Sequence, residues 1–256
     1  MEFSGYKTCP FFIVPARNRK HLDEKIAELE EMNVSFLVVC GEKVNHPNVV
    51  YRENAGKWDA INFAVSFLPE EANVIVLNDV DTKIYNFENA LSDLNSGVDL
   101  VYCRVQVHSG PQVKFYQLLN PMRSRFHVAA SGELMVMRKE VFKEVLPLPP
   151  CLAEDSYILF KTLELGYRAN FCTKAYITTE RTSNQQEEAA YKNRTTLGIY
   201  QALDYSKPPP IIRIFYLALP LFAPLLSLEG KDGKAWMIGI NRAFKHHIKK
   251  ENPTKF

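Results

Sequence analysis

The chain alternates short apolar runs with stretches of helical periodicity, and this alternation limits the folds available to it. Residues 9–14, 34–40 and 73–78 are largely apolar, a pattern that predicts buried strands. Residues 21–32 and 58–68 carry apolar side chains at helical spacing, which predicts helices between those strands. Buried strands separated by helices are typical of a parallel sheet covered on both faces. Ligands of such sheets bind beyond the carboxyl ends of the strands, so we expect functional residues directly after them.

The pattern continues as far as residues 208–210, three consecutive prolines that cannot continue a helix. Before these prolines, residues 99–107 predict a fourth strand, residues 133–146 a strand followed by a helix, and residues 156–166 a further helix. The prolines therefore predict a domain boundary.

The composition after the prolines indicates contact with a membrane. Residues 211–228 hold a single charge, Arg213, but these 18 residues are interrupted by prolines and fall short of the roughly 20 apolar residues that cross a bilayer. From Lys234 onward, apolar side chains recur every four residues among basic ones: Trp236, Ile240, Phe244 and Ile248. A basic amphipathic helix suits an anionic membrane surface. The alternative is a helix packed on the domain with its basic residues in water, and the adjacent apolar block favours lipid.

Charge, cysteine usage and missing motifs exclude several classes of protein. Among 256 residues, 31 Lys and Arg nearly balance 29 Asp and Glu, so no overall field favours nucleic acid. Five scattered cysteines without a C-x-x-C pair indicate reduced thiols rather than a zinc site or a disulfide framework. The apolar run near the N-terminus is too short for a signal peptide, so we expect an intracellular protein. The absence of G-x-G-x-x-G and G-x-x-x-x-G-K-[ST] disfavours nicotinamide oxidoreductases and P-loop NTPases.

The strongest single motif is NDVDT, residues 78–82, directly after the third predicted strand. Asp79 and Asp81 leave the strand end at i and i+2, where two carboxylates can converge on Mg²⁺ or Mn²⁺. Two solvated loop aspartates are the alternative. The string also resembles the first motif of haloacid-dehalogenase-type phosphatases, in which the first aspartate is a phosphorylated nucleophile. Two strand–helix units precede it here and Lys83 follows it, so the phosphatase is the lesser alternative.

Other polar residues follow the remaining strands or begin helices. Arg17 offers a planar cation for a phosphate or a base, and Lys57 could place an ammonium near the same phosphates. A surface arginine and a simple helix entry are the respective alternatives. Glu154 and Asp155 begin a helix, where acidic residues ordinarily complement the helix dipole. The small residues 130–132 (ASG) would let the backbone approach a ligand.

Taken in order, five segments resemble a family 2 glycosyltransferase of the GT-A fold: PFFIVPARNR, NAGKWDAIN, VIVLNDVDT, ASGELMVMRKEVFKEV and AEDSYILFKTLELGYR. The resemblance covers roughly residues 9–205, and residues 191–203 resemble the basic segment that follows the domain in many membrane-associated members. It implies an α/β fold with a Rossmann-like, mixed but mostly parallel sheet and helices on both faces. It also implies a catalytic domain at residues 1–207 and a helical membrane-associating extension at residues 208–256.

The resemblance assigns roles by position. Asp155 would be the catalytic base, and Asp79 would face the nucleoside and diphosphate and share a metal ion with Asp81. The other assignments are nucleotide-sugar binding for Pro15, Arg17, Glu42 and Lys57, acceptor or sugar contact for Ser131, Gly132 and Glu154, and phosphate binding for Lys192 and Arg194.

Two departures from the family pattern limit what the resemblance implies. In this family, an acidic residue directly after the second strand usually recognises the base of the nucleotide. Cys40 and Gly41 occupy these positions, so the identity of the nucleotide base stays open. Glu42 is only a possible substitute for the acidic residue. The Gln-x-x-Arg-Trp motif of processive synthases is also not met, because Tyr191 and Thr195 stand where Gln and Trp would be. This argues for transfer of a single sugar.

The implied activity is inverting transfer from a UDP-, GDP- or dTDP-sugar to an acceptor hydroxyl or phosphate, with Mn²⁺ or Mg²⁺. The C-terminal composition suggests a lipid-linked acceptor and a peripheral or monotopic location on the cytoplasmic membrane face, and no nucleic acid partner is expected. Two alternatives stay open: a phosphatase with Asp79 as nucleophile, and a non-catalytic protein that binds a nucleotide sugar.

Overall fold

The computed structural model describes residues 8–107, 112–128, 130–179 and 184–251. Its strands are β1 (Pro10–Ala16), β2 (Ser35–Cys40), β3 (Val49–Tyr51), β4 (Val74–Asn78), β5 (Thr82–Tyr85), β6 (Leu100–Val107), β7 (Leu134–Arg138) and β8 (Ala169–Thr179). Its helices are α1 (Leu22–Glu31), α2 (Lys57–Ala64), α3 (Phe87–Asn95), α4 (Gln112–Phe126), α5 (Lys139–Val145), α6 (Glu154–Glu164), α7 (Gln185–Tyr205), α8 (Pro210–Leu226) and α9 (Gly230–Ile248). Short 3₁₀ turns follow α2 and α8.

The described strands form one eight-stranded sheet in the order β3-β2-β1-β4-β7-β6-β8-β5. β3, β2, β1 and β4 run parallel to one another, and β6 runs parallel to β8. β7 is antiparallel to both of its neighbours, and β5 is antiparallel to β8. The predicted mixed, mostly parallel sheet is therefore confirmed. Because β1, β2 and β4 are parallel, the segments that follow them begin at the same edge of the sheet.

Helices cover both faces of this sheet because successive strand side chains point to opposite layers. In β1, Phe11 belongs to a core cluster that includes Ile61 of α2. The next residue, Phe12, belongs to a second cluster with Leu29 of α1 and Phe87 of α3. The rings of Phe12 and Phe87 lie 5.1 Å apart between centroids. Burial on both faces explains why the strands are apolar throughout.

The C-terminal helices pack on the sheet domain. Ile212 and Tyr216 of α8 and Ala243 of α9 belong to the same core cluster as β1 and α6. α9 packs along α7 with Trp236 and Ile240 buried. For α9, the structure therefore matches the alternative of a packed helix over most of its length. Three residues of its predicted apolar face, Trp236, Ile240 and Phe244, meet protein, and Ile248 at its end is 63% exposed.

α8 differs from α9 because most of its large apolar side chains are exposed. Together with the following turn, the exposed residues are Ile211, Ile214, Leu217, Leu221, Phe222, Leu225 and Leu228. By length and composition alone, the described stretch Pro210–Ile248 is long and apolar enough to cross a membrane, and only 17% of its most apolar 18-residue window is buried. α8 is therefore the helix that offers apolar surface.

Candidate active site

A cavity of about 710 Å³ lies at the carboxyl ends of β1 and β4, where the first turns of α2 and α6 and one side of α7 also meet. The predicted site residues in its lining are Pro15, Arg17, Lys57, Asp79, Asp81, Gly132, Glu154, Asp155, Lys192 and Arg194. Side chains from five separate segments of the chain thus converge on one space, as expected for an open α/β sheet.

The two remaining predicted residues, Glu42 and Ser131, are not part of this lining. Glu42 is exposed, and its carboxylate lies 3.7 Å from Nε of Arg19. Ser131 is buried, and its hydroxyl donates a hydrogen bond of 2.5 Å to the carbonyl of Cys103 in β6. The cavity is therefore formed without these two side chains.

Lys57 connects the acidic residues of two different motifs. It is the first residue of α2, and its Nζ lies 2.5 Å from Oδ1 of Asp79 and 2.8 Å from Oε1 of Glu154. The same ammonium donates to the carbonyl of Gly132 over 3.4 Å. Burial acts to lower the pKa of Lys57, but the charges of Asp79 and Glu154 outweigh it and hold the pKa well above its ordinary value. Lys57 is therefore a permanent cation between the segment after β4 and the start of α6.

Asp155 lies next to this cluster in the first turn of α6. Its Oδ1 accepts a hydrogen bond of 2.7 Å from the N–H of the following residue. Burial raises the pKa of Asp155 to about 7, helped by the charges of Glu154 and Glu133, while Lys57 acts in the opposite direction. Gly132 approaches so closely that a Cβ there would lie 2.6 Å from Cβ of Asp155. The cavity thus holds a carboxylate that can accept a proton near neutral pH.

The fit of a divalent cation depends on Asp79 and Asp81. Both line the cavity, and Asp81 is exposed to it. Within the described residues, no group of three His, Cys, Asp or Glu side chains is placed to hold a metal ion. Mg²⁺ in phosphate-binding sites is typically held by one or two carboxylates together with substrate phosphates. The two aspartates therefore fit a cation shared with a diphosphate and do not form a complete protein cage.

The loop before α2 and the segment after β1 form another part of the lining. Arg17 is exposed there, and Arg52 is fixed by Nε–Oδ2 and Nη2–Oδ1 hydrogen bonds of 2.8 and 3.0 Å to Asp59. The indole N–H of Trp58 is buried and has no hydrogen-bond partner in the described part of the chain. Gly56 adopts φ 138°, a conformation that favours glycine, and so allows this loop to turn into α2. A guanidinium and an unpaired indole N–H suit the oxygen atoms of a nucleotide.

α7 and α9 contribute a basic and aromatic part of the lining. Nζ of Lys192 lies 4.1 Å from the ring centroid of Trp236, and the indole N–H of Trp236 donates a hydrogen bond of 2.5 Å to Glu188. Burial lowers the pKa of Lys192 to about 8, with Glu188 opposing and Arg123 reinforcing the change. Arg194 lies on the same helix turn, with its guanidinium 5.7 Å from the ring of the neighbouring Tyr191.

Several lining residues were not predicted from the sequence: Asn54, Trp58, Arg123, Glu133 and Trp236. Asn54, Trp58 and Glu133 belong to segments that carry the resemblance, so position within those segments was an available signal. Arg123 and Trp236 had no such signal, because they reach the cavity from helices outside the motifs.

No protein-family model matches the chain, and no curated protein matches it. Among solved structures, it is similar to GalNAc-T7 with UDP, GalNAc and Mn²⁺, with a TM-score of 0.51, 11% identity, and coverage of 97% of this chain and 59% of that chain. A Drosophila beta-1,4-galactosyltransferase 7 mutant with manganese, UDP-Gal and xylobiose gives a TM-score of 0.40, 17% identity, and coverage of 64% and 65%. HddC from Yersinia pseudotuberculosis gives a TM-score of 0.42 and 13% identity, with coverage of 66% of this chain and 92% of that chain.

The chain therefore spans little more than half of the GalNAc-T7 chain while using nearly all of its own length. At such identity, the similarity concerns the arrangement of strands and helices. Together with the sheet order and the position of the cavity, it shows that the chain has a GT-A-like fold.

Proposed function

We propose that the protein is an inverting glycosyltransferase, related to family 2, that transfers one sugar from a nucleoside diphosphate donor to an acceptor. The observation that carries the proposal is the convergence of Asp79, Asp81 and Asp155 in one cavity, with Lys57 joining the two motifs. A pair of aspartates after a strand is a weak signal. A third carboxylate with a pKa near neutrality gives the cavity a group that a transferase needs and a binding protein does not.

The donor would lie between the segment after β1 and the loop before α2. Arg17 and the unpaired indole N–H of Trp58 offer donors for the nucleoside and phosphates, and Lys57 offers a permanent cation. Glu42 pairs with Arg19 outside the cavity lining, so the proposal assigns no residue to the recognition of the nucleotide base. UDP, GDP and dTDP therefore all remain candidates. GalNAc-T7, which shares the fold, was solved with UDP and Mn²⁺, so this pair is tested first.

Asp155 would act as the general base. A sugar hydroxyl is a weak nucleophile, and Asp155 takes its proton while the oxygen forms a bond to the anomeric carbon. Attack on the face opposite the diphosphate breaks the carbon–oxygen bond to the donor phosphate, whose oxygen keeps the electron pair, and inverts the anomeric centre. Gly132, which packs on Asp155 without a side chain, leaves backbone beside the base and space for the acceptor.

The negative charge that develops on the leaving diphosphate would be balanced by cations of the cavity. Lys57 is close to Asp79 and carries its charge at all physiological pH values. A Mn²⁺ or Mg²⁺ ion held by Asp81, with Asp79 near it, would supply Lewis-acid stabilisation of that leaving group when bound. Lys192 and Arg194 add positive charge on the α7 side, for the diphosphate or for a phosphate on the acceptor.

We propose a membrane-associated C-terminal region, residues 208–256, attached to a catalytic domain of residues 1–207. Two surfaces support this. α8 and the turn that follows it present seven large exposed apolar residues, of which Leu221 and Leu228 are 78% and 82% exposed. The exposed side of α9 carries Lys231, Lys234, Arg242 and Lys245, and the exposed Lys249 directly follows the helix. Apolar burial and attraction to anionic lipid act together at a bilayer surface. The reduced cysteines favour the cytoplasmic face, and an acceptor linked to lipid would meet the cavity there.

The first experiment is a thermal-shift panel of UDP, GDP and dTDP with and without Mn²⁺. A ligand at about 100 times its Kd stabilises the folded protein by about 2.7 kcal/mol, so the correct base should stand out, and its effect should increase with Mn²⁺. Wild type should then release that nucleotide from its sugar donor. Hydrolysis of aryl phosphates with a phosphate trapped on Asp79 would instead identify a phosphatase. Donor binding without any turnover would identify a binding protein.

A further inference from the structure

A lysine of α1 is buried directly behind the segment that carries the two aspartates. Lys25 is 1% exposed and does not belong to the cavity lining. Its ammonium donates hydrogen bonds of 2.8 Å to Oδ1 of Asn78, 2.6 Å to the carbonyl of Thr82 and 2.6 Å to Oε2 of Glu28. An ammonium has three N–H donors, so each of them has a partner.

Two of these partners flank the segment of residues 79–81. Asn78 precedes Asp79, and Thr82 follows Asp81. The flanking residues also contact each other, since Nδ2 of Asn78 lies 3.0 Å from Oγ1 of Thr82, and that hydroxyl donates to the carbonyl of Asp79 over 2.8 Å. Three residues are thus held at both ends by one buried ammonium.

The same network reaches Glu133, the residue directly before β7. Nδ2 of Asn78 donates a hydrogen bond of 2.6 Å to the carbonyl of Glu133, which also accepts from the N–H of Asp79 over 3.3 Å. Glu133 directly follows Gly132, the residue that packs against Asp155. The backbone that carries the aspartates is therefore tied to the backbone that contacts Asp155.

Glu28 attaches the network to β5. While Oε2 of Glu28 accepts from Lys25, Oε1 accepts from the N–H of Ile84 over 2.6 Å. Lys25 and Glu28 form a mostly buried ion pair. Lys25 bonds to the chain on both sides of the aspartates, and Glu28 bonds to the chain after them. An ion pair in such a place costs desolvation energy that apolar side chains of similar size would not, so packing α1 on the sheet does not by itself account for it.

We propose that Lys25 is a positioning residue: it fixes both ends of segment 79–81 and, through Asn78, the placement of that segment relative to Asp155. This inference rests on the proposed function, because it concerns how the two acidic motifs of that reaction are held together. It assigns no contact with substrate to Lys25.

The test uses the double variant Lys25→Met with Glu28→Gln in the full chain, because removing Lys25 alone would leave a buried, unpaired carboxylate and risk unfolding. The matched control is Lys139→Met. Lys139 also donates two hydrogen bonds to backbone carbonyls, of Pro69 over 2.7 Å and of Glu70 over 3.0 Å, but lies outside the cavity lining.

Three readouts are compared: amide hydrogen exchange of residues 79–84, binding of Mn²⁺ to the protein with nucleoside diphosphate followed by the paramagnetic resonance of free Mn²⁺, and donor turnover. In the double variant we expect exchange of this segment to rise about tenfold while β1 and β4 stay protected. We also expect Mn²⁺ affinity and kcat to fall about tenfold each, with the KM for donor within about threefold of wild type. The Lys139→Met protein should match wild type in all three.

Unchanged exchange of residues 79–84 in the double variant would overturn the proposal whatever the enzyme does. Faster exchange with unchanged kcat and Mn²⁺ affinity would also overturn it, because Lys25 would then hold the segment without any consequence for the reaction. A wild-type protein that binds no nucleotide with Mn²⁺ would instead refute the proposed function, and the exchange measurement would still decide whether Lys25 orders the segment.

Discussion

Replacing Asp155 by Asn should have opposite effects on stability and on catalysis. Burial is the main reason that the pKa of Asp155 rises from an ordinary 3.8 to about 7. The folded protein therefore favours the protonated carboxyl, and a buried carboxylate is retained at neutral pH at a cost in stability. Asn has the shape of the protonated acid and keeps the oxygen that accepts the backbone N–H, but it carries no charge.

The magnitude follows from the raised pKa. Stabilisation by the protonated group is complete below the unfolded-state pKa and is lost as the pH rises through about 7. Since a tenfold change in proton affinity is worth about 1.4 kcal/mol, the ionised group costs the folded protein at most about 4 kcal/mol at pH 8 and about 2 kcal/mol at pH 5. We expect Asp155→Asn to recover these amounts, so its gain in stability should shrink as the pH falls.

Urea unfolding at pH 8 and pH 5 measures the gain in stability of Asp155→Asn, and an assay of sugar transfer measures its loss of activity. We expect transfer to fall about 10²–10⁴-fold in Asp155→Asn, while nucleotide binding persists. The wild-type rate should decrease about tenfold per pH unit below about pH 7, because the base is then protonated. Asp23→Asn, which removes an exposed carboxylate from α1, should change stability by less than about 1 kcal/mol at either pH.

Two results would refute this reasoning. An Asp155→Asn protein that is less stable than wild type at pH 8 would show that the charged form makes favourable contacts that outweigh its burial. A gain that is the same at pH 8 and pH 5 would show that the carboxyl does not change its charge in this range. Either outcome would also remove the physical basis for Asp155 as the base.

Three further predictions concern the metal, the acceptor side and the membrane. Asp81→Asn should abolish stimulation by Mn²⁺ and lower kcat about 10²-fold, as measured by turnover across a Mn²⁺ titration. Gly132→Ala should lower kcat at least about tenfold in a transfer assay, because its Cβ would lie 2.6 Å from Cβ of Asp155 and displace the base. Leu221→Gln combined with Leu225→Gln should weaken sedimentation with anionic vesicles by about tenfold or more, since both side chains are exposed on α8.

The vesicle experiment has a matched control in Phe67→Gln, which removes an exposed apolar side chain from the turn after α2. This variant should sediment like wild type. Equal loss in both proteins would mean that general surface hydrophobicity, and not the outer face of α8, drives the association. For the other two variants, retained Mn²⁺ stimulation in Asp81→Asn, or full kcat in Gly132→Ala, would contradict the respective roles.

The sequence predicts those elements of the fold that a short stretch of residues reveals by its own apolar pattern. β1, β2 and β4 begin or end within two residues of the predicted runs, because a strand buried on both faces is apolar throughout and stands out against its neighbours. β3 and β5 were not predicted, since three or four residues are too few to show a period. β5 in addition follows directly on the aspartates, in a segment for which the pattern predicts no strand.

The site shows the same limit. The sequence predicts Asp79, Asp81 and Asp155 as site residues because each follows a strand or begins a helix within a motif, and the structure places all three in the cavity lining. Trp236 could not be identified this way. Its spacing on α9 indicates an apolar face, but nothing in the sequence tells whether that face meets lipid or α7. The partner of that face depends on packing between distant segments of the chain, and the periodicity of one helix contains no information about such packing.

Lys57 is paired with acidic residues from two motifs of the cavity. Asp79 and Glu154 are each paired with the ammonium of Lys57, at 2.5 and 2.8 Å. Asp155 is bound by a backbone N–H, and the charges of Glu154 and Glu133 add to the effect of burial on its pKa.

In the proposed reaction, Asp79 and Glu154 are paired with this lysine and Asp155, whose pKa is raised, is the base, a division of roles that acid–base sites require. Because the same lysine joins the segment after β4 to the start of α6, the group proposed to face the donor and the group proposed to deprotonate the acceptor are held at a fixed separation. Donor and acceptor can react only if the anomeric carbon lies within reach of both, so this fixed separation is itself part of what the cavity contributes to the reaction.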